Sequence, residues 1–167
     1  MDGSTADTSH VNIDAATDAA IDAPPDAPPT IDARTCPTGY APLPGAPATS
    51  KYRLFGNTAT GTSFGAAKGR CDSDGTHLVI VETAAEAAAI GAAIQLDPTS
   101  PYYWEGITDE DTENTWVTIE GGAATYLPWD PGQPNGGRSS NCALFDAQGH
   151  LYDFDCNGVE AFACECD

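Results

Sequence analysis

The carboxyl-terminal segment, residues 129–167, reads WDPGQPNGGRSSNCALFDAQGHLYDFDCNGVEAFACECD. It holds four of the six cysteines and a Gln-Pro-Asn tripeptide at 133–135. Three apolar runs bounded by turn-forming residues predict short strands, Cys142 to Asp146, Leu151 to Phe154 and Ala161 to Glu165. Its carboxylates and carboxamides lie close to cysteines that could fix them in place. We therefore expect this segment to carry the functional site, with the upstream chain as scaffold or tether.

The composition allows one folded domain and argues against several partners. The 167 residues are 41% apolar and have a formal charge of -19, from 25 acidic and 6 basic residues. So few basic residues argue against nucleic acid, whose phosphates need Lys and Arg, and against anionic membrane surfaces. The chain lacks the long apolar stretch that membrane insertion requires. The acidic excess suits simple solvation or, in the right geometry, a divalent cation.

The even number of cysteines indicates a disulfide framework in an oxidising compartment. None of them forms a CxxC pair and the three histidines are scattered, which argues against structural zinc. No secretory signal or lipobox is present, so either the segment is excised from a longer exported precursor or its cysteines stay reduced. We expect excision. The predicted location is extracellular or on a cell-envelope surface, of a bacterium to judge from the simple repetitive linker.

Residues 1–35 differ in composition from the rest. Asp recurs among Ala and Pro, and no aromatic residue is present. Such a segment buries too little apolar surface to offset its ordering entropy, so we predict a disordered tether. The folded domain is expected from Cys36 onward.

Upstream of residue 129 the patterns predict two helices, two strands and a long loop. Residues 62–72 place three side chains on one helix face, Phe64, Ala67 and Cys71. A short apolar run at 77–81 suits a strand or turn. Thr83 and Glu86 form a capping box that begins a second helix, which extends to about Leu96. Further elements are strands from Tyr102 to Ile107 and from Thr115 to Ile119, and a loop from Tyr126 to Ser140.

These motifs, in their order along the chain, resemble the C-type lectin-like domain. The residues that carry the resemblance are the two helices, WEGITD at 104–109, GQPN at 132–135, and the cysteines Cys71, Cys142, Cys156 and Cys164. The resemblance implies for residues 36–167 an α+β fold, in which two helices flank small antiparallel sheets and a long loop region, stapled by disulfides. The implied disulfides are Cys71–Cys164 and Cys142–Cys156. Cys36 and Cys166 remain, and we hypothesise that they pair and join the two ends of the domain.

The resemblance also implies a calcium-assisted sugar site in the long loop. Gln133, Asn135 and Asp153 stand where family members bind Ca²⁺, and vicinal sugar hydroxyls complete the coordination shell. Two further family positions are unmatched, because Ser140 stands at an acidic position and Tyr152 at an asparagine. With one formal negative charge in the matched set, we expect weak calcium binding.

Other residues extend this candidate site. Asn141 supplies a further metal ligand if the loop is displaced by one residue. A different loop conformation would bring in one of three aspartates, Asp130, Asp146 or Asp155. Tyr152 is a candidate for stacking on a sugar, whereas Trp129 is expected in the core. The bond before Pro134 is cis in the family but X-Pro bonds are cis in only about 5 to 6% of cases generally, so the isomer stays open.

These residues are compatible with two functions, and with no binding role for the loop. The first is an extracellular carbohydrate-binding module, Ca²⁺-assisted through the loop. The alternative is an adhesion module that binds protein on the same fold without metal. At the candidate site itself, the polar side chains could instead only satisfy backbone groups of the loop. An enzyme is not expected, since no GxSxG, HExxH or Walker pattern occurs. The carboxylates of Asp153 and Asp155 are two residues apart, so in extended chain they face the same way, with nothing to separate an acid from a base.

Overall fold

The computed structural model describes residues 35–56, 61–95 and 100–167. The predicted tether over 1–35, apart from Thr35, and the predicted helix end near Leu96 lie outside the described residues. Two α-helices are described, α1 (Phe64–Ser73) and α2 (Ala84–Ile94). The strands are β1 (Lys51–Phe55), β2 (His77–Leu78), β3 (Tyr102–Thr108), β4 (Val117–Thr118), β5 (Cys142–Asp146), β6 (Leu151–Phe154) and β7 (Ala161–Cys166).

Both predicted helices are present, and their buried faces follow the sequence pattern. The three side chains predicted for the inner face of α1 are buried, Phe64, Ala67 and Cys71. α2 begins after Thr83, whose hydroxyl accepts a hydrogen bond from the Glu86 N–H at 3.2 Å. The predicted capping box is half formed, because the Glu86 carboxylate accepts hydrogen bonds from the Glu82 N–H and the Tyr52 hydroxyl instead of the Thr83 N–H. None of the described helices is long and apolar enough to cross a membrane.

The strands described form one sheet in the order β1-β7-β3-β5-β6, with β2 added to β7 and β4 to β3. β3 and β7 run parallel, while the other pairs are antiparallel. The predicted α+β fold is thus confirmed, with its strands joined in a single mixed sheet. Gly106 is required where β3 crosses the chain after β2, because a Cβ there would lie 2.8 Å from the carbonyl oxygens of Leu78 and Val79.

The two faces of the sheet contribute to two apolar clusters. Successive side chains of a strand point to opposite faces, so Tyr103 packs in the cluster that includes α2 while Trp104 packs in the cluster that includes α1. Trp129 is partly buried against the α2 cluster, and its ring centroid lies 4.8 Å from that of Trp116. The core placement expected for Trp129 therefore agrees with its packing.

Three disulfides join the pairs that the resemblance and the hypothesis named: Cys71–Cys164, Cys142–Cys156 and Cys36–Cys166. The first ties α1 to β7, and the second ties β5 to the turn after β6. The third closes a separation of 130 residues between the two ends of the described domain. In the chain-entropy model each such bond stabilises the fold by about 3 to 5 kcal/mol.

Three carboxyl side chains are buried near one another in this core, on α2, β3 and β7: Glu86, Glu105 and Glu165. Glu86 accepts the Tyr52 hydroxyl at 2.6 Å, and Glu105 accepts the Val81 N–H at 2.7 Å. The second oxygen of Glu105 has no hydrogen-bond partner among the described residues. Burial, and then the negative charge of Glu86, raise the pKa of Glu165 to about 7. Burial also raises the pKa of Glu105 well above its ordinary value.

Candidate functional site

The long loop between β4 and β5 is anchored at its base to β6. The Asp130 N–H donates to the Leu151 carbonyl and the Leu151 N–H to the Pro128 carbonyl, both at 3.0 Å. Gly132, at φ 99°, then turns the chain into the Gln133–Pro134 peptide, which is cis. A single short 3-10 turn, Gly137–Ser139, interrupts the loop among the residues described there. β6 therefore fixes the position of the tripeptide.

Asp153 on β6 holds the tripeptide through backbone hydrogen bonds. Its carboxylate accepts the Asn135 N–H at 2.9 Å and the Gly136 N–H at 2.6 Å, one on each oxygen. The side chain is buried, with Asp153 8% exposed overall. Asp153 and the tripeptide, which the sequence placed in one site, therefore lie together. Their contact runs from the carboxylate to backbone amides.

The two polar side chains of the tripeptide, Gln133 and Asn135, differ in their surroundings. Oε1 of Gln133 is buried and has no hydrogen-bond partner among the described residues, whereas Asn135 is exposed. Gly136 is tightly packed, since a Cβ there would lie 2.1 Å from the Ser140 Oγ and 3.0 Å from the Asp153 Oδ2. The space beside the Asp153 carboxylate is thus filled by Gly136 and Ser140.

Tyr152 does not lie with Asp153 and the tripeptide, and its contact with a ligand stays a prediction. Neighbouring residues of a strand point to opposite faces, so Tyr152 points away from Asp153. Its hydroxyl donates to Asp146 at 3.1 Å and its ring meets Tyr102 edge-on at 5.4 Å. Burial and then the Asp146 carboxylate raise the pKa of Tyr152 to about 12.

An open polar cleft of about 350 Å³ lies beside the loop. Its lining residues are Glu110, Arg138, Ser139, Asn141, Asp155, Cys156 and Asn157. The predicted metal ligand Asn141 contributes to this cleft, and its main-chain carbonyl accepts the Thr108 hydroxyl at 2.7 Å. Opposite it, Asp155 accepts both the backbone and the side-chain N–H of Asn157, at 2.9 and 3.0 Å.

Most residues of the cleft were not identified from the sequence as ligand residues. The signal for some of them was present, because Asn141 precedes Cys142 while Asp155 and Asn157 flank Cys156. Once these two cysteines pair, the polar residues beside them come together. Arg138 and Ser139 had no comparable signal, since their placement depends on the 3-10 turn.

The donor set of the loop does not fit calcium. Ca²⁺ takes 6 to 8 oxygen ligands and favours several carboxylates. Here the unpartnered Gln133 oxygen suits a cation, but Asp153 is the one carboxylate at the matched positions, and both its oxygens accept N–H groups. Asp146 does not compensate, because it accepts the Gln148 and His150 N–H groups and the Tyr152 hydroxyl. No group of three or more His, Cys, Asp or Glu suited to a metal occurs within 35–56, 61–95 and 100–167.

Comparison with known proteins gives consistent matches. The model of the lectin C-type domain matches residues 60–166. The C-type lectin domain family 3 member A of Bos taurus is 39% identical over 98 residues, 57% of this chain and 50% of the relative. The mannose-binding protein of Gallus gallus is 35% identical over 99 residues, 59% of this chain and 38% of the relative. The chain thus spans half or less of the length of these relatives.

Solved structures give the same result. The carbohydrate-recognition domain of the human scavenger receptor C-type lectin is 27% identical, with a TM-score of 0.64, and the match covers 80% of this chain and 99% of that domain. The two relatives and this receptor come from animals, so they give no support to the bacterial origin expected from the linker.

Proposed function

Since the chain belongs to the C-type lectin domain family, whose model matches residues 60–166, we propose that residues 36–167 form an extracellular carbohydrate-binding module. The observation that carries the proposal is the loop at Gln133–Gly136, held by Asp153 beside an open polar cleft. The mannose-binding protein and the carbohydrate-recognition domain among the relatives support sugar as the class of ligand.

The groups in the cleft suit a hydroxyl-rich ligand. Carboxylates accept hydrogen bonds, the Arg138 guanidinium donates them, and the carboxamides of Asn141 and Asn157 do both. A sugar hydroxyl is likewise both donor and acceptor, so adjacent hydroxyls can each find a partner here. The cleft volume of about 350 Å³ falls in the range of small-ligand sites.

C-type lectins commonly use Ca²⁺, whereas the donor set of this loop does not fit the ion; the proposal of a saccharide ligand rests on the cleft and on the relatives. Family members are generally not enzymes, and we propose none here. Disulfides suit an exported protein, and residues 1–35 would serve as the tether that displays the module. Because one open polar site binds a single sugar weakly, we expect useful affinity from several copies on one surface.

The test is retention of the full oxidised chain on immobilised glycans that end in mannose, galactose, N-acetylglucosamine or glucuronic acid. We expect at least one glycan to retain the chain, and Asn157→Ala to weaken that retention. Gln148→Ala is the matched control, since it removes an exposed carboxamide from the turn between β5 and β6, outside the cleft. If no glycan retains the chain, in calcium or in chelator, carbohydrate binding is refuted and a protein ligand becomes the better hypothesis.

A further inference from the structure

We infer that Asp153 replaces calcium as the organiser of the ligand loop, and that the adjacent cleft takes its saccharide directly, without metal. The choice of a saccharide as ligand rests on the proposed function. The role given to Asp153 rests on its own contacts with the loop. Asp153 is a positioning residue here: it holds the backbone of 135–136 from the neighbouring strand.

The carboxylate of Asp153 is fully engaged by the loop backbone. Two consecutive backbone N–H groups, those of Asn135 and Gly136, converge on one buried carboxylate at 2.9 and 2.6 Å. Hydrogen bonds to a charged acceptor are about twice as strong as neutral ones. The charge of Asp153 is therefore compensated by the loop itself, and the loop gains a fixed position.

The space around the Asp153 carboxylate is crowded. A Cβ on Gly136 would lie only 2.1 Å from the Ser140 Oγ and 3.0 Å from the Asp153 Oδ2. Ser140 also stands where the resemblance places an acidic ligand, and it brings no charge. The crowded side of the carboxylate is therefore closed by a glycine backbone and a neutral hydroxyl.

Other aspartates near the long loop also accept backbone amides. Asp109 accepts the Asn114 N–H at 2.8 Å, and Asp155 accepts the Asn157 N–H at 2.9 Å. Asp155 does so within its own turn, whereas Asp153 holds residues that are 18 and 17 positions away in sequence. Asp153 therefore joins two separate segments, which is the role proposed for it.

The loop part of the inference is tested by hydrogen exchange of the Asn135 and Gly136 amides. Asp153→Ala removes both hydrogen bonds, so we expect both amides to exchange roughly tenfold to a hundredfold faster. Asp155→Ala is the matched control, since it removes a carboxylate two residues away that does not contact the tripeptide, and both amides should keep their wild-type rates. Asp153→Asn, which retains one acceptor oxygen, should give intermediate rates if the alanine variant is too unstable to study. Slower exchange of the wild-type amides on adding CaCl₂ would overturn the inference.

The ligand part is tested by repeating the glycan retention in CaCl₂ and in EDTA. We expect equal retention in both buffers, and weaker retention for Asp155→Ala in both. Retention that is lost in EDTA would overturn the metal-free site while supporting the proposed function. Absence of retention in both buffers would instead refute the proposed function. The exchange rates of the loop amides would still decide the role of Asp153.

Discussion

Raising the pH from about 5 to about 8 should destabilise this domain, because a buried carboxyl group binds its proton more tightly in the folded state. The pKa of Glu165 rises from an ordinary value of 4.5 to about 7, first through burial and then through the negative charge of Glu86. The folded chain therefore holds a proton that the unfolded chain has lost between these two values. The free energy of unfolding is highest below about pH 4.5 and falls as the pH rises to about 7.

The size of the loss follows from this shift in pKa. At about 1.4 kcal/mol per unit, the difference between 4.5 and about 7 amounts to about 3 kcal/mol. Glu105 acts in the same direction, because its pKa is also raised. His77 acts in the same direction as well: burial lowers its pKa, but the Leu78 carbonyl and the carboxylates of Glu165 and Asp167 raise it on balance. The lowered pKa of Asp74 acts only below its ordinary value of 3.8, outside this window.

The assay is guanidinium unfolding of the oxidised chain at several pH values between about 5 and 8. Glu165→Gln keeps the shape and hydrogen-bonding capacity of the side chain but cannot ionise. Between pH 5 and 8 its unfolding free energy should therefore fall by about 2 to 3 kcal/mol less than that of the wild type. Glu120→Gln is the matched control, because it removes an exposed carboxylate and should leave the pH dependence unchanged. Stability that stays constant or rises with pH in the wild type, or an unchanged slope in Glu165→Gln, would refute the reasoning.

Three further predictions concern stability. The non-reduced chain should show no reactive thiols in a titration, and replacing both Cys36 and Cys166 by Ser should lower the free energy of unfolding by about 3 to 5 kcal/mol; two reactive thiols would rule this bond out. Gly106→Ala should destabilise by about 1 to 3 kcal/mol in denaturant unfolding, because its Cβ meets backbone oxygens at 2.8 Å. Gly69→Ala, with nothing within 4 Å of its Cβ, should instead stabilise α1 by about 0.5 to 1 kcal/mol, and equal effects at both glycines would contradict the packing argument. Tyr52→Phe should cost about 1 to 3 kcal/mol at neutral pH, since a buried carboxylate loses its 2.6 Å hydrogen bond; an unchanged denaturation midpoint would count against that bond.

The sequence predicted those elements whose residues carry their own pattern. α1 follows from its three buried side chains, and β5 and β6 have the predicted bounds. β1 was not predicted, although Lys51–Phe55 begins with alternating charged and apolar residues. The run is short, and its pairing with β7, more than a hundred residues away, cannot be inferred from those residues alone.

The candidate site shows both the use and the limit of a resemblance. The resemblance placed Asp153 and the tripeptide in one site, and the structure brings them into contact. The fold itself sets this contact, so recognising the fold was enough to predict it. The stacking role of Tyr152 stays a prediction, and the alternation of side chains along β6 directs Tyr152 and Asp153 to opposite faces of the sheet. The cleft was largely missed because its residues meet only when Cys142 and Cys156 pair and the 3-10 turn forms.

The acidic charge of the chain can now be interpreted in part. The sequence left two explanations open, solvation and a cation. Beside the long loop a third one applies, since Asp109, Asp153 and Asp155 each accept at least one backbone N–H. Irregular backbone has N–H groups that no strand or helix satisfies, and a carboxylate on a rigid strand such as β6 can collect two of them. Carboxylates beside a long loop can therefore fix its conformation without metal. For this reason the exchange rates of the loop amides, rather than the net charge of the chain, test whether the loop depends on calcium.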